Sequence, residues 1–422
     1  MTDRGFSTTT TALLAGLTAV SACNLPAAAQ DGNSWPRWPG SAYAANSDPV
    51  DRSFVKEWEA TPPKGYPTLS PANIAATKAA MARYAAIVAR GGWQPLPDVK
   101  LQQGSNDPAV ALLRARLQAS GDLQEQSLSQ NFDYYVDKAV KRYQASNGLA
   151  PTGVVDKTTI AAMNIPAASR LKQLQINLGR LAEHSKVAAR RYVVVNIPAA
   201  QIEAVDVNQV VSRHSGVVGK IDRPTPLLKS AIHELNFNAV WHLPPTVIEK
   251  DLIPKGQEMS RRGQSVLVKF NIDAYGGDGK KLDPSKVNWS SPIVKGLTYK
   301  QQPGPDNPLG FVKINFNNAH SVYMHDTPSQ SIFGRNFRAA SSGCVRVSGI
   351  EQLAAWLTVD QGWKPEHIKQ MKETGERLDV KLKKPMPLYF VYITAWATED
   401  GVVQFRRDLY VKDGIGQAAA AY

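Results

Sequence analysis

One stretch, Tyr323 to Val347, constrains this chain more than any other. It reads Y-M-H-D-T-P-S-Q-S-I-F-G-R-N-F-R-A-A-S-S-G-C-V-R-V. It holds Cys344, one of two cysteines in 422 residues, and His325 nineteen positions upstream. Val322 to His325 continues an apolar, strand-like run, and Asp326 to Gly334 has the Pro, Ser and Gly of a loop. Ser348 and Glu351 read as a capping box, and Ile350, Leu353, Ala354 and Leu357 recur at helical spacing. The chain must therefore set a histidine near a strand end and a cysteine just before a helix. A thiol there can act as a nucleophile, because positive charge favours the thiolate and an imidazole can take its proton. Arg338 and Arg346 supply the charge, and Gly343 lets backbone N–H groups approach a developing oxyanion. Taken singly, a cysteine is more often a small buried apolar residue and a histidine more often structural.

Taken together, S-S-G-C-V-R after H-D-T-P resembles the L,D-transpeptidases with a YkuD-type catalytic domain. Their motif is a His, a loop of about fifteen residues, then Ser or Thr, His, Gly, Cys, an apolar residue and Asn or Arg. Fifteen residues separate His325 from Ser341, and Ser341, Gly343, Cys344, Val345 and Arg346 all match. Ser342 departs from the many members that carry a second His. The longer Gram-negative subgroup, with a capped catalytic domain, commonly has serine there.

The length allows two or three domains, and 43% hydrophobic with 20% charged residues is ordinary for a globular protein. The net charge of +13 fits solvated surface charge or attraction to an acidic polymer. No nucleic-acid motif accompanies it, whereas cell-wall glycopeptide carries free carboxylates. Thr11 to Val20 is apolar enough for an export signal and too short to span a bilayer. Ala27-Ala28-Ala29 fits signal-peptidase cleavage, and Val20-Ser21-Ala22-Cys23 fits a lipoprotein box. Ordinary cleavage and a periplasmic protein are the expectation, with membrane attachment only if Cys23 is lipidated. Either outcome leaves Cys344 as a lone thiol in an oxidising compartment, which calls for an explanation such as catalysis.

The expected organisation is α+β: a β-rich, mixed-sheet catalytic domain with an inserted cap, preceded by a small all-helical module. Residues 1–29 read as a signal peptide and 30–70 as a flexible arm. Residues 71–170 form a helical scaffold, 171–190 a linker helix, 191–400 the catalytic domain, and 401–422 a C-terminal strand and tail. Ser70 or Asn73 is the expected cap of a first helix to about Arg90, with Ile74, Met81, Tyr84, Ala85 and Val88 on its apolar face. Within the scaffold, about 105–165 resembles the peptidoglycan-binding module through V-D-K-A-V-K-R-Y-Q-A-S-N-G-L and T-G-V-V-D-K-T-T, with Asp156 where that family usually has Gly. A helical spacer fits the pattern equally well. Asn236 to Leu243 reads as one strand, Phe311 to Phe316 as a strand pairing with that of His325, and the region after the Ser348 helix as basic and helical to about Lys384.

The resemblance implies an enzyme in which Cys344 attacks the diaminopimelate carbonyl of a peptidoglycan tetrapeptide stem, D-alanine leaves, and a second stem's amine accepts the acyl group in a 3→3 cross-link. It implies acylation by carbapenems as well. His325 is the expected base, and Gly343 and Cys344 N–H groups the expected oxyanion donors. Tyr323, Ser341, Ser342, Arg346, Asp326 and Trp241 are candidate substrate-side residues, with Arg346 either holding a carboxylate or pairing with Asp326. No cofactor is expected; His320, His325 and Asp326 lack zinc-type spacing, so no metal is expected either. An L,D-carboxypeptidase would use the same residues, and a non-catalytic wall-binding scaffold is the reading from another class. The stretch 244–303 is too long for a bare connection and carries ten Lys or Arg against six Asp or Glu. A solvated decoration is one reading; the long L,D-transpeptidases have a capping subdomain at this place, so the resemblance implies a lid.

Overall fold

The computed structural model describes residues 66–124, 127–184, 186 and 189–416. The expected signal peptide, Cys23 and most of the arm lie outside the described residues.

Helix α1 (Ala72–Ala89) begins after Pro71 with no side-chain cap. Neither expected cap serves: Asn73 turns inward and donates to the Pro67 and Thr68 carbonyls at 2.9 and 3.0 Å. The buried face is Asn73, Thr77, Ala80, Tyr84 and Ile87, rotated from the apolar stripe of the sequence. The rotation follows from hydrogen bonding, since Thr77 Oγ1 accepts from the Ala397 N–H at 3.0 Å and its burial is compensated.

The next helices follow their sequence signals. Aspartates open α2 (Pro108–Ser120), α3 (Tyr134–Ser146) and α4 (Lys157–Met163): Asp107, Asp133 and Asp156 each accept a first-turn N–H. Asp156 thus has a structural task at the position where the module family has Gly. Gly121 ends α2 in the left-handed region, φ 86°. Val110, Leu113, Leu117, Val136, Val140, Tyr143 and Met163 share one core. Helix α5 (Ala167–His184) runs across the expected 170/171 boundary.

Strands β1 (Arg191–Asn196), β2 (Gln201–Asp206), β3 (Gln209–Gly219) and β4 (Leu228–Phe237) start the main sheet. The strand expected over 236–243 breaks at Asn238, φ 47°, whose amide donates to the Met371 and Glu376 carbonyls. Only β5 (Trp241–His242) continues beyond it. The chain then leaves the sheet through a π-helical turn, Ile248–Leu252, into α6 (Ile253–Ser260) and α7 (Val266–Lys269). It returns through β6 (Ile272–Tyr275) and β7 (Thr298–Gln301), which complete a separate sheet in the order β5-β7-β6. Leu252, Met259, Leu267, Phe270, Trp289 and Tyr299 fill a core of this region's own.

Strands β8 (Val312–Phe316), β9 (Met324–His325), β10 (Ala339–Ser341) and β11 (Val345–Val347) bring the chain back to the main sheet. Helix α8 (Ile350–Thr358) opens on Gly349, φ 53°, without the Ser348–Glu351 capping box. Ser348 Oγ instead accepts from the Ser215 N–H, and Glu351 pairs with Lys372. Helix α9 (Pro365–Thr374) ends at Gly375, and β12 (Leu378–Val391) follows, so the basic stretch to Lys384 is strand, not helix. Its alternation explains this: Leu382 is buried while Asp379, Lys381 and Lys383 face water.

The mixed sheet runs β10-β3-β11-β9-β8-β4-β12-β1-β2, and β2 also pairs with β3, closing it on itself. The β13 (Ala395–Ala397) and β14 (Val403–Phe405) hairpin spans the expected 400/401 boundary and packs on Ala80, Tyr84 and Leu174.

Candidate active site

Register places the candidate residues. Strands β9 and β11 run parallel, with Met324 opposite Val345 and His325 opposite Arg346. Met324 and Val345 point into the core, fully buried. Side chains alternate along a strand, so Tyr323, His325, Cys344 and Arg346 share the other face. On the far side of β9, antiparallel β8 sets Lys313 opposite His325. Trp241 arrives from β5 and donates Nε1–H to Tyr323 Oη at 3.0 Å.

Cys344 is half-buried, and burial pushes its thiol above the usual range. Hydrogen bonds from the Tyr323 main chain and hydroxyl, and the charges of Lys313 and Arg346, pull the other way. The Tyr323 phenol is itself held well above its ordinary range, first by burial and then by the thiol. It therefore stays a hydrogen-bond donor. Arg346 Nε is buried, with no hydrogen-bond partner among the described residues.

His325 is buried, and desolvation together with the Arg346 charge lowers its pKa to about 3. Its Nδ1 lies 2.5 Å from the Asp326 carbonyl. A carbonyl only accepts, and the Pro308 carbonyl is a second main-chain acceptor on the same ring, so the imidazole donates to backbone oxygens. With the thiol pushed up and the imidazole pushed down, the resting pair is neutral at physiological pH.

The loop before the thiol is locked. Ser341 Oγ donates to the Cys344 carbonyl at 2.5 Å and accepts from the Gly343 N–H at 3.1 Å. That N–H is thus occupied in this state and does not stand open as an oxyanion donor, contrary to expectation. Gly343 has φ 115°, which explains the glycine: no side chain tolerates that backbone well. Ser342 Oγ accepts from Arg223 Nη1, and the same guanidinium reaches Asp251 at 3.4 Å. One arginine thereby links the loop to the inserted region. The alternative Arg346–Asp326 pair is not formed: Asp326 accepts from the Phe311 N–H and Gln330 Nε2. His320 is exposed in a turn away from this cluster. Lys313 escaped the sequence reading because it lies twelve residues before His325 on another strand; the alternation F-V-K-I-N-F was its only signal.

Comparison with known proteins fits this geometry. Residues 190–371 match the family described as "L,D-transpeptidase catalytic domain" (YkuD), and residues 106–163 match "Putative peptidoglycan binding domain". A Haemophilus influenzae protein named "Putative L,D-transpeptidase" is 28% identical over 222 residues, 52% of this chain and 44% of that protein. The chain thus spans less than half the length of that relative. Among solved structures, an L,D-transpeptidase from Xylanimonas cellulosilytica is 14% identical, with 71% of this chain and 100% of that one covered and a TM-score of 0.24. One from Stackebrandtia nassauensis is 13% identical, covering 71% and 97%, with a TM-score of 0.27. At those scores the superpositions add nothing to the sheet order described above.

Proposed function

From a chain that carries a YkuD L,D-transpeptidase catalytic domain and a peptidoglycan-binding-type domain, we propose a peptidoglycan L,D-transpeptidase that forms 3→3 cross-links through a thioester on Cys344. The observation that carries this reading is the shared strand face of Tyr323, His325, Cys344 and Arg346 inside the matched domain.

In the proposed cycle, Cys344 Sγ attacks the diaminopimelate carbonyl of a tetrapeptide stem as its proton passes to the His325 imidazole. The amide C–N bond breaks, the imidazolium returns the proton to the leaving amine, and D-alanine departs. The side-chain amine of a second stem attacks the thioester and gives its proton to His325. The C–S bond breaks and the sulfur regains a proton. The Tyr323 hydroxyl steadies the sulfur, and Arg346, with an unpartnered Nε, offers a donor to a substrate carboxylate or carbonyl. The inserted region acts as a lid that keeps water from the thioester. Half of its basic side chains are already in ion pairs, such as Lys255 and Arg262 with Glu258 and Lys281 with Asp273. The helical module would hold the wall, and the export signal at Thr11 to Val20 would place the enzyme in the periplasm.

Purified tetrapeptide muropeptide, incubated with the protein and analysed by mass, tests the reading. Cross-linked dimer is expected. Trimmed tripeptide alone would make it an L,D-carboxypeptidase, and unchanged substrate a wall-binding scaffold.

A further inference from the structure

Lys313 stands out on the same sheet face. Its Nζ lies 4.6 Å from the centroid of the Tyr323 ring. The side chain is half-buried, and burial lowers its pKa. The carboxylates that act on it are turned elsewhere: Glu234 on β4 accepts from Asn315 Nδ2 at 3.2 Å, and Asp379 on β12 accepts from Asn236 Nδ2 at 2.7 Å. Among the described residues, no carboxylate comes within ion-pair distance of Lys313. An ammonium drawn partly out of water without such a partner is costly. What it does face is the Tyr323 ring, whose hydroxyl meets the Cys344 thiol.

We propose that Lys313 is a positioning residue that sets the ionisation of Cys344 through Tyr323. A cation on the ring face makes the phenol a stronger donor, and a stronger donor favours the thiolate over the thiol. The inference rests on Cys344 being the nucleophile. The other charged group facing the thiol is Arg346 on β11; His325, Glu234, Asp379 and His242 face Lys313 from β9, β4, β12 and β5. All of these remain in place when Lys313 alone is changed.

The test is the pH dependence of Cys344 alkylation by iodoacetamide, a neutral probe, read by mass spectrometry of the Cys344 peptide in the full chain. Lys313→Met should move the midpoint up by about one pH unit, roughly a tenfold slower reaction at pH 7, the low end expected for loss of an opposite charge at this range. Lys313→Arg should stay within about threefold of wild type, because it keeps the charge. In a Tyr323→Phe background the Lys313→Met shift should shrink, as coupled residues require. Lys313→Gln serves in place of Met if Met lowers the melting temperature. An unchanged midpoint in a folded charge-removing variant overturns the proposal. So does an Arg variant as slow as Met, or an undiminished shift in the Phe background. Alkylation needs no turnover, so absence of cross-linking with these shifts intact would overturn the proposed function and leave this inference standing.

Discussion

The main sheet and the inserted region hold their residues in place by different means. In the sheet, strand register does it: Lys313, His325 and Arg346 are successive cross-strand neighbours, so displacing one strand by a residue would turn the whole set to the other face. The insertion is held by side-chain packing around Trp289, which stacks on Tyr299 at 5.9 Å and covers Gly256. Its polar contacts with the site include Trp241 on Tyr323 and Asp251 on Arg223. Residues fixed by a register tolerate little change, whereas a packed insertion joined through a few polar contacts can move or vary while Cys344 stays where it is.

The sheet side of this contrast predicts the largest effects. Cys344→Ala should abolish muropeptide turnover while the melting temperature stays near wild type, and a carbapenem should add covalently to wild type only. Intact mass reads the adduct, and an adduct on the Ala variant would put the nucleophile elsewhere. His325→Ala should cost about 10²–10⁴-fold in rate, the range for a lost general base. His320→Ala, in its exposed turn, should cost far less; equal losses would make both histidines structural.

How far the sequence anticipated each region follows the same physics. The helical module was legible because its signals are local: Asp107 and Asp133 cap helices a few residues away, and Gly121 stops one. The α+β class and the mixed sheet were legible through alternation and motif. What escaped depends on partners distant in sequence. Ser348 has the right neighbours for a capping box, but Ser215, on a strand far upstream, takes its hydroxyl. Asn73 reads as a helix cap, and Thr77 falls outside the expected apolar face, until their partners at Pro67, Thr68 and Ala397 are known. Lys313 joins the site only once β8 lies beside β9. The candidate site was therefore readable where residues sit in one motif, and unreadable where separate strands supply them.

The insertion side is sharpened by Trp289→Ala. Emptying this buried ring should cost about 3–5 kcal/mol of the insertion's local stability. Alkylation of Cys344 should stay near the wild-type rate, since the sheet register is untouched. Cross-linking should fall and the hydrolysed fraction rise, as an unlatched lid admits water. Dimer formed at the wild-type rate and ratio would show that this region is not a substrate lid.

Acid should separate the two regions by a smaller margin, and the sign follows from which groups are buried. His214 is a buried residue of β3, hydrogen-bonded to the Ser348 carbonyl and Ser212 Oγ at 2.9 Å each, and desolvation lowers its pKa to about 4. His325 is lowered to about 3. In the unfolded chain each takes a proton near pH 6.5, so between pH 6.5 and 4 the unfolded state binds more protons and stability falls as pH falls. Each histidine contributes up to about 1.4 kcal/mol per pH unit in that window. Carboxyls held above their usual range by burial, Asp326 and Asp413, act in the opposite sense. The difference between variants is therefore the measure, not the absolute slope. The insertion's shifted carboxylates, Asp273, Glu258 and Asp283, are lowered, so what they contribute is kept until pH falls below about 4. Melts from pH 6.5 to 4.5 should show the main sheet losing stability in wild type and losing less of it in His214→Gln. Amide exchange in β6 and α6, measured relative to global unfolding, should hardly change over the same range. An identical slope in His214→Gln would mean that this buried imidazole is not what acid acts on, and a selective loss of protection in α6 would reverse the assignment of the acid-sensitive region.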